Sequence, residues 1–219
     1  AGRGVTMVGP GDGRLAGGDV GAGRLADPTD VVEAAERILG ATRGTDGGDL
    51  AGMTVLVTAG GTREPICPVR FIGNRSSGKQ GHALAVEAAS RGATVRCVTT
   101  RPDRAPTAPG IEVTAVDTAA EMADAVGARA ADADIVLMAA AVADFRPVDV
   151  ATEKIKKDGG PPEILLEPTA DILAELGRTR TRGQVLVGFA AETCDLRKNA
   201  AAKLTAKGID LIVANDVSA

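Results

Sequence analysis

The sequence predicts an α/β fold of Rossmann-like type, a parallel sheet with helices on both faces. Two patterns in the 219 residues point there. Short apolar or β-branched runs alternate with helical apolar patterns from about Met53 to the end, and the first of the runs leaves through a glycine-rich turn. The third observation is the balance of 44% hydrophobic and 25% charged residues, which suits a globular chain whose core needs no disulfide or metal staple.

The elements follow in order. Asp30 to Leu39 places Val31, Val32, Ala35, Ile38 and Leu39 on one helical face, with Asp27-Pro28-Thr29-Asp30 as its N-cap. Residues 41–48 read as a linker, so residues 1–50 are expected to be a short appendage or the tail of an upstream domain, with the main domain over 51–219. Strands are expected at Thr54 to Ala59, Thr94 to Thr99, Ile135 to Ala141, Val185 to Phe189 and Leu211 to Ala214. Helices are expected at Ser77 to Arg91, ended by Gly92, at Asp117 to Ala131, at Thr169 to Gly177, and at Leu196 to Lys207, stopped by Gly208. In such a sheet the ligand lies beyond the carboxyl ends of the strands, so the loops there carry the functional weight.

Composition narrows the chemistry. Lys+Arg 25 against Asp+Glu 29 gives a net charge of -4, and with no Trp or Tyr and three Phe there is little on which bases could stack, so nucleic acid is not an expected partner. Cys67, Cys97 and Cys194 are odd in number and far apart, which argues against a disulfide framework and for a reducing cytoplasm. No apolar run approaches the ~20 residues of a membrane span. His82 is the single histidine, so neither a catalytic triad nor a multi-histidine metal site can be built within the chain; it reads as a helix-face histidine without a catalytic role.

Four loops concentrate polar and small residues. After the first strand, Gly60 and Gly61 allow a sharp turn that leaves amides free to face an anion, although a tight strand exit would use them equally and the spacing is not GxGxxG. Gly73-Asn74-Arg75-Ser76-Ser77-Gly78-Lys79-Gln80-Gly81 gathers an amide, two hydroxyls, two cations and three glycines before a helix, an anion or carbonyl clamp in which one serine can also be the N-cap. It fails the P-loop spacing, and Gln80 stands where that motif has a metal-binding hydroxyl. Met138, Ala139 and Ala140 end a strand in small residues that let backbone approach a flat base, with Asp144 free for a hydroxyl or a metal. Glu153 to Lys157 is a basic run in a Gly/Pro-rich loop, either a solvated face or a cover for a triphosphate. Phe189, and Lys203 with Lys207 one helical turn on, add to the same sheet edge.

Together VTAGGTREPI, RFIGNRSSGKQG, AAAVADFRP, EKIKK, VGFAAET and KLTAKGIDLIVANDVS resemble, over about residues 53–219, the phosphopantothenoylcysteine synthetase domain of the bacterial bifunctional coenzyme A biosynthesis proteins. Residues 8–40 resemble the end of the decarboxylase domain that precedes it there. The resemblance implies a ligase that activates the carboxylate of 4'-phosphopantothenate with CTP as an acyl-cytidylate and then condenses it with L-cysteine, releasing CMP, with Mg2+ or Mn2+ as cofactor. Carried over by motif, Asn74 handles the acyl intermediate and Lys154 covers the triphosphate. Met138, Ala139, Ala140, Asp144, Ala170, Asp171, Ile172, Leu173, Phe189, Lys203 and Lys207 contact the nucleotide. Gly60, Gly61, Ser76, Ser77, Gly78 and Lys79 are assigned to substrate or phosphate, and the metal ligands are left unassigned. A homodimer, tethered in the full-length protein to a flavin decarboxylase domain, is implied as well.

Three departures stand against the family pattern. Cys67 occupies the place of an Asp, Gly17 that of the decarboxylase cysteine, and the chain stops at Ala219 before the strand and helix that close the domain. Neither FMN nor decarboxylation is therefore expected. An NAD(P)-dependent oxidoreductase and a non-catalytic nucleotide sensor are the competing functions. The first lacks its fingerprint, and the strand after the first helix of the domain ends in Thr99-Thr100-Arg101 rather than in an acidic ribose partner.

Overall fold

The computed structural model describes residues 6–8, 11–14, 20–24, 26–39, 48–157 and 160–218. Gly17, the linker over residues 41–47 and the side chains of Ile38 and Leu39 lie outside that description.

A seven-stranded sheet carries the chain, formed by β1 (Thr6–Val8), β4 (Thr54–Ala59), β7 (Thr94–Thr99), β8 (Ile111–Ala115), β9 (Ile135–Met138), β12 (Val185–Glu192) and β13 (Leu211–Asp216). Every pairing in it is parallel, in the order β1-β13-β12-β9-β4-β7-β8. From β4 the chain steps outward to β7 and β8, then returns to β9 on the other side and steps outward again to β12 and β13. The strand order therefore reverses between β4 and β9, the position where loops diverge and a crevice opens in sheets of this kind.

Alternate residues of the strands supply two cores. Val55, Val57, Ile135, Leu137, Val185, Val187, Leu211 and Val213 face α1 (Pro28–Leu39) and α2 (Lys79–Ser90), packing on Val31, Ala34, Ala35, Leu84, Ala85 and Ala88. Leu56, Val136, Met138, Leu186 and Ile212 face α3 (Ala119–Ala130), α4 (Ile172–Thr179) and α5 (Leu196–Lys207). Helix α1 thus shares a core with the sheet, and β1 pairs with β13 at its edge. No helix among the described residues is long and apolar enough to cross a membrane.

The expected strands and helices are present with adjusted ends. Helix α3 begins two residues late because Thr118 and Glu121 form a capping box. Helix α4 starts at Ile172, where Asp171 caps the Ala174 amide at 3.0 Å. Strand β9 ends at Met138 rather than Ala141. The Ala140 N–H donates instead to Thr58 Oγ1 (3.0 Å) and the Ala141 N–H to the Gly60 carbonyl (2.8 Å), which turn the backbone out of the ladder. Edge strand β8 and three small antiparallel pairs are additions to the expected elements: β2 (Gly11–Arg14) with β3 (Val20–Arg24), β5 (Arg63–Cys67) with β6 (Arg70–Gly73), and β10 (Phe145–Pro147) with β11 (Leu166–Pro168).

Candidate active site

A cleft of about 1020 Å³ opens at the carboxyl ends of β9, β12 and β13, beside the β4/β9 reversal. Its lining brings together Asn74, Ser76, Ser77, Gly78 and Lys79 from the approach to α2, Met138, Ala139, Ala140 and Asp144 from the β9 exit, and Ala170, Asp171, Ile172 and Leu173 from the start of α4. Phe189 on β12 and Lys203 and Lys207 on α5 complete it. Sixteen of the nineteen residues named for the site from sequence thus share one cavity; Gly60, Gly61 and Lys154 are not in its wall.

The anion-facing wall is the start of α2. Its N-cap is Gly78, in the left-handed region at φ 77°, rather than Ser76, and no side chain caps the helix. The two serines instead accept weak 3.4 Å bonds, Ser76 Oγ from the Gly78 amide and Ser77 Oγ from the Lys79 amide. The next two amides of the helix, those of Gln80 and Gly81, receive no side-chain hydrogen bond at the positive end of its dipole. Gly60 and Gly61 lie beneath this turn as packing residues. A side chain on Gly61 would stand 2.6 Å from the Asn74 carbonyl oxygen, and one on Gly60 would collide with the Thr100 hydroxyl. They let the β4 exit pass under residues 74–78.

The exit of β9 is tied down from three sides. Asn74 Nδ2 donates to the carbonyls of Ala141 (3.3 Å) and Val142 (3.2 Å). Thr62 Oγ1 accepts from the buried Ala143 amide at 2.9 Å, and the Thr169 hydroxyl donates to the Ala143 carbonyl. The side-chain amide of Asn74 is therefore committed to this loop as a donor. Thr58, Thr62 and Thr169 were not legible as site-forming residues, because threonine at a strand end reads as β-propensity and only the partner across the sheet reveals a latch.

The opposite wall is cationic but internally neutralised. Lys203 Nζ donates to Glu192 Oε1 at 2.6 Å and Lys207 Nζ to Asp171 Oδ1 at 3.2 Å. The Lys203 hydrogen bond holds the Glu192 carboxyl below its ordinary range. Two further polar atoms in the lining residues, Gln80 Nε2 and Asn215 Oδ1, are buried with no hydrogen-bond partner among the described residues.

Lys154 is exposed, outside the cleft of its own chain. Its segment is anchored to the β5–β6 hairpin by Arg70 Nη1 donating to the Ile155 carbonyl (3.0 Å) and by the Ala151 amide donating to the Ile66 carbonyl (3.0 Å). Cys67 sits buried at that hinge. Hydrogen bonds from the backbone at Val69 and Ile155 lower its thiol to about 7 from an ordinary 9.0, with the Arg70 guanidinium 3.9 Å away. No group of three or more metal-binding side chains occurs among the described residues.

Comparison with known proteins gives the family of the chain. Residues 50–219 match the family described as DNA/pantothenate metabolism flavoprotein C-terminal domain. The chain is 50% identical to the coenzyme A biosynthesis bifunctional protein of Mycobacterium tuberculosis over 98% of its own length and 54% of that protein's. To its Bacillus subtilis counterpart it is 45% identical, over 99% of the chain and 52% of the relative. It thus spans about half the length of these curated relatives. A crystal structure of the C-terminal domain of a coenzyme A biosynthesis bifunctional protein superposes with a TM-score of 0.65 at 40% identity, covering 76% of this chain and 79% of the other. With most of its length matched by the family and half its residues shared with a member, the chain belongs to the DNA/pantothenate metabolism flavoprotein C-terminal domain family.

Proposed function

We propose that this chain is a CTP-dependent phosphopantothenate–cysteine ligase of coenzyme A biosynthesis. One observation carries the proposal: a single cleft at the strand-order reversal joins a helix start with no side-chain cap, a small-residue strand exit and two lysines on a facing helix. The relatives named for coenzyme A biosynthesis support it. In the first step a carboxylate oxygen of 4'-phosphopantothenate attacks the α-phosphorus of CTP, and the bond to pyrophosphate breaks. In the second the cysteine nitrogen attacks the acyl carbon, CMP leaves with the bonding pair, and the amine loses a proton. Neither step needs a protein nucleophile, so positioning and charge stabilisation are what the cleft must supply.

In this reading the base lies where Phe189, Ala139 and Ala140 line the cleft, and Lys203 and Lys207 face the phosphates after leaving their carboxylates. Asn74 holds the β9 exit and, with one hydrogen released, the acyl carbonyl. A divalent cation fits this arrangement, because Mg2+ binds through one or two carboxylates together with substrate phosphates, and Asp144 and Asp171 both line the cleft. It would offset phosphate charge there.

A homodimer is part of the same reading. Val69, Phe71, Phe145 and Leu165 are each more than half exposed, all on the two small hairpin sheets or beside them. Lys154, outside its own cleft, is free to serve the partner's. Sedimentation of the purified protein at twice the chain mass is the expected result.

The test is pyrophosphate release from CTP, phosphopantothenate, cysteine and Mg2+. Asn74→Ala is expected to accumulate the acyl-cytidylate and convert it poorly, and Lys154→Gln to impair the first half-reaction. CTP with Mg2+ should raise the melting temperature where NADPH does not. Wild-type protein that releases no pyrophosphate defeats the proposal.

A further inference from the structure

Beneath the anion-facing turn of α2 lies a buried titratable group that the ligase chemistry does not use. His82 is 7% exposed, and it is the chain's single histidine. It belongs to α2, one turn below Gly78, and its amide donates to the Gly78 carbonyl at 2.9 Å. The ring forms the floor of the cap: a side chain on Gly78 would stand 3.2 Å from His82 Cε1 on one side and 3.3 Å from the Gly60 amide nitrogen on the other. Gly78 itself lines the cleft, so the imidazole is separated from the anion wall by a single glycine.

The ring is fixed in place. Nε2 lies 3.0 Å from Thr99 Oγ1, a hydroxyl that also accepts from the Arg101 amide at 3.0 Å. With the hydroxyl oxygen already accepting, its proton is available to Nε2 of a neutral ring.

Burial lowers the imidazole from its ordinary 6.5, Asp103 opposes that, and Arg101 adds to it. These two face the ring from the turn after β7 and are bonded to each other. The remaining charged side chains on the elements packed against α2 are Arg96 on β7, Glu112 on β8, and Asp30 and Glu33 among the described side chains of α1; on α2 itself they are Lys79 and Glu87. Arg96 pairs with Asp132; Asp30, Glu33 and Glu112 are exposed, and Glu87 is half-buried.

We propose that His82 is a positioning residue of this site whose protonation is linked to anion binding. As a neutral ring it holds Gly78 in the left-handed cap that bares the helix amides. A polyanion seated on those amides draws a proton onto the ring behind them, so the two bind cooperatively. The inference rests on the triphosphate of the proposed ligase substrate occupying the α2 end of the cleft.

Linkage is reciprocal, so a polyanion that raises the imidazole by about one unit binds about tenfold more tightly once the ring is protonated in the free protein. The gain appears as pH falls through the pKa of the bound state and is complete below that of the free state. Titration of γ-phosphate oxygens also changes affinity over this range, and the comparison with His82→Phe, which keeps a ring on the floor but carries no proton, removes it.

With a single histidine, the Cε1 proton resonance reports the group directly in tag-free protein. The expected result is an upward displacement of its titration midpoint with CTP, on the order of one unit, and none with cytidine, which lacks the phosphates. The ratio of wild-type to His82→Phe affinity for CTP should rise as pH falls from 8 and reach about tenfold below the midpoint measured without CTP. In His82→Ala, which removes the floor, CTP should bind more weakly at pH 8 with its fold intact by circular dichroism. Equal midpoints with and without CTP, or a flat affinity ratio, overturn the linkage. An unchanged His82→Ala affinity overturns the positioning role. If wild-type protein binds CTP with this linkage yet releases no pyrophosphate, the ligase proposal fails alone.

Discussion

Gly81 offers a perturbation whose magnitude can be worked from contacts. It stands in the first turn of α2 with its Cα pressed against the end of β4: an added methyl would lie 2.6 Å from the Thr58 carbonyl oxygen and 2.7 Å from Ala59 Cβ, where ordinary contact begins near 3.4 Å. Relief demands roughly 0.8 Å of movement, and both obstacles belong to a central buried strand. Overpacking of this kind costs about 3 kcal/mol at its upper end. Alanine's better helix propensity returns about 1. Gly81→Ala is therefore expected to lose about 2 kcal/mol, a fall in melting temperature of about 4–8 °C for a chain of this size. The same displacement moves Ser76 to Lys79, so CTP-dependent turnover should drop by about two orders of magnitude if the geometry there matters as misplacement by an ångström generally does. The control is Gly127 in α3, where an added methyl meets nothing within 4 Å. Gly127→Ala should stabilise by about 0.5–1 kcal/mol with activity unchanged. Differential scanning calorimetry beside a pyrophosphate assay reads both, and equal melting temperatures for the two variants would refute the steric account.

Two other outcomes are expected. Thr62→Val removes the acceptor of the buried Ala143 amide and should cost about 1–3 kcal/mol in urea unfolding, with pyrophosphate release reduced as the β9 exit loosens; a change below about 0.5 kcal/mol would show that water replaces the hydroxyl. At Cys67 the folded-state pKa of about 7 lies below the ordinary 9.0, so the hydrogen-bonded anion contributes stability present above pH 9 and lost as pH falls through 7. Unfolding midpoints of the wild type should therefore decline from pH 9 to pH 7 relative to Cys67→Ser, and parallel curves would contradict the anionic assignment.

Much of this protein was legible in one dimension because the determinants are local. The β-branched run at 54–59 and the Gly208 stop after Lys207 each act within a few residues of themselves, and each yields the element expected. The loops that meet in the cleft follow from strand order in a parallel sheet, which is why sixteen of the nineteen site residues gather there. Hairpins at 63–73 and 145–168 were not legible, since their strands are three to five residues long and pair across a register that no local pattern specifies.

What the chain determined by itself is therefore the class of fold, its periodic elements and the set of loops that converge. Tertiary structure alone decided the use made of those residues. Glycine at 60 and 61 suits an anion cradle and a crossing backbone alike, and only the fold shows the Asn74 carbonyl and the Thr100 hydroxyl filling the space beside them. Lys203 and Lys207 carry charge in any conformation, but only the approach of Glu192 and Asp171 shows that they rest neutralised. Propensity and capping are short-range properties of consecutive residues, whereas close approach and charge pairing depend on segments tens of residues apart, which folding alone brings into contact.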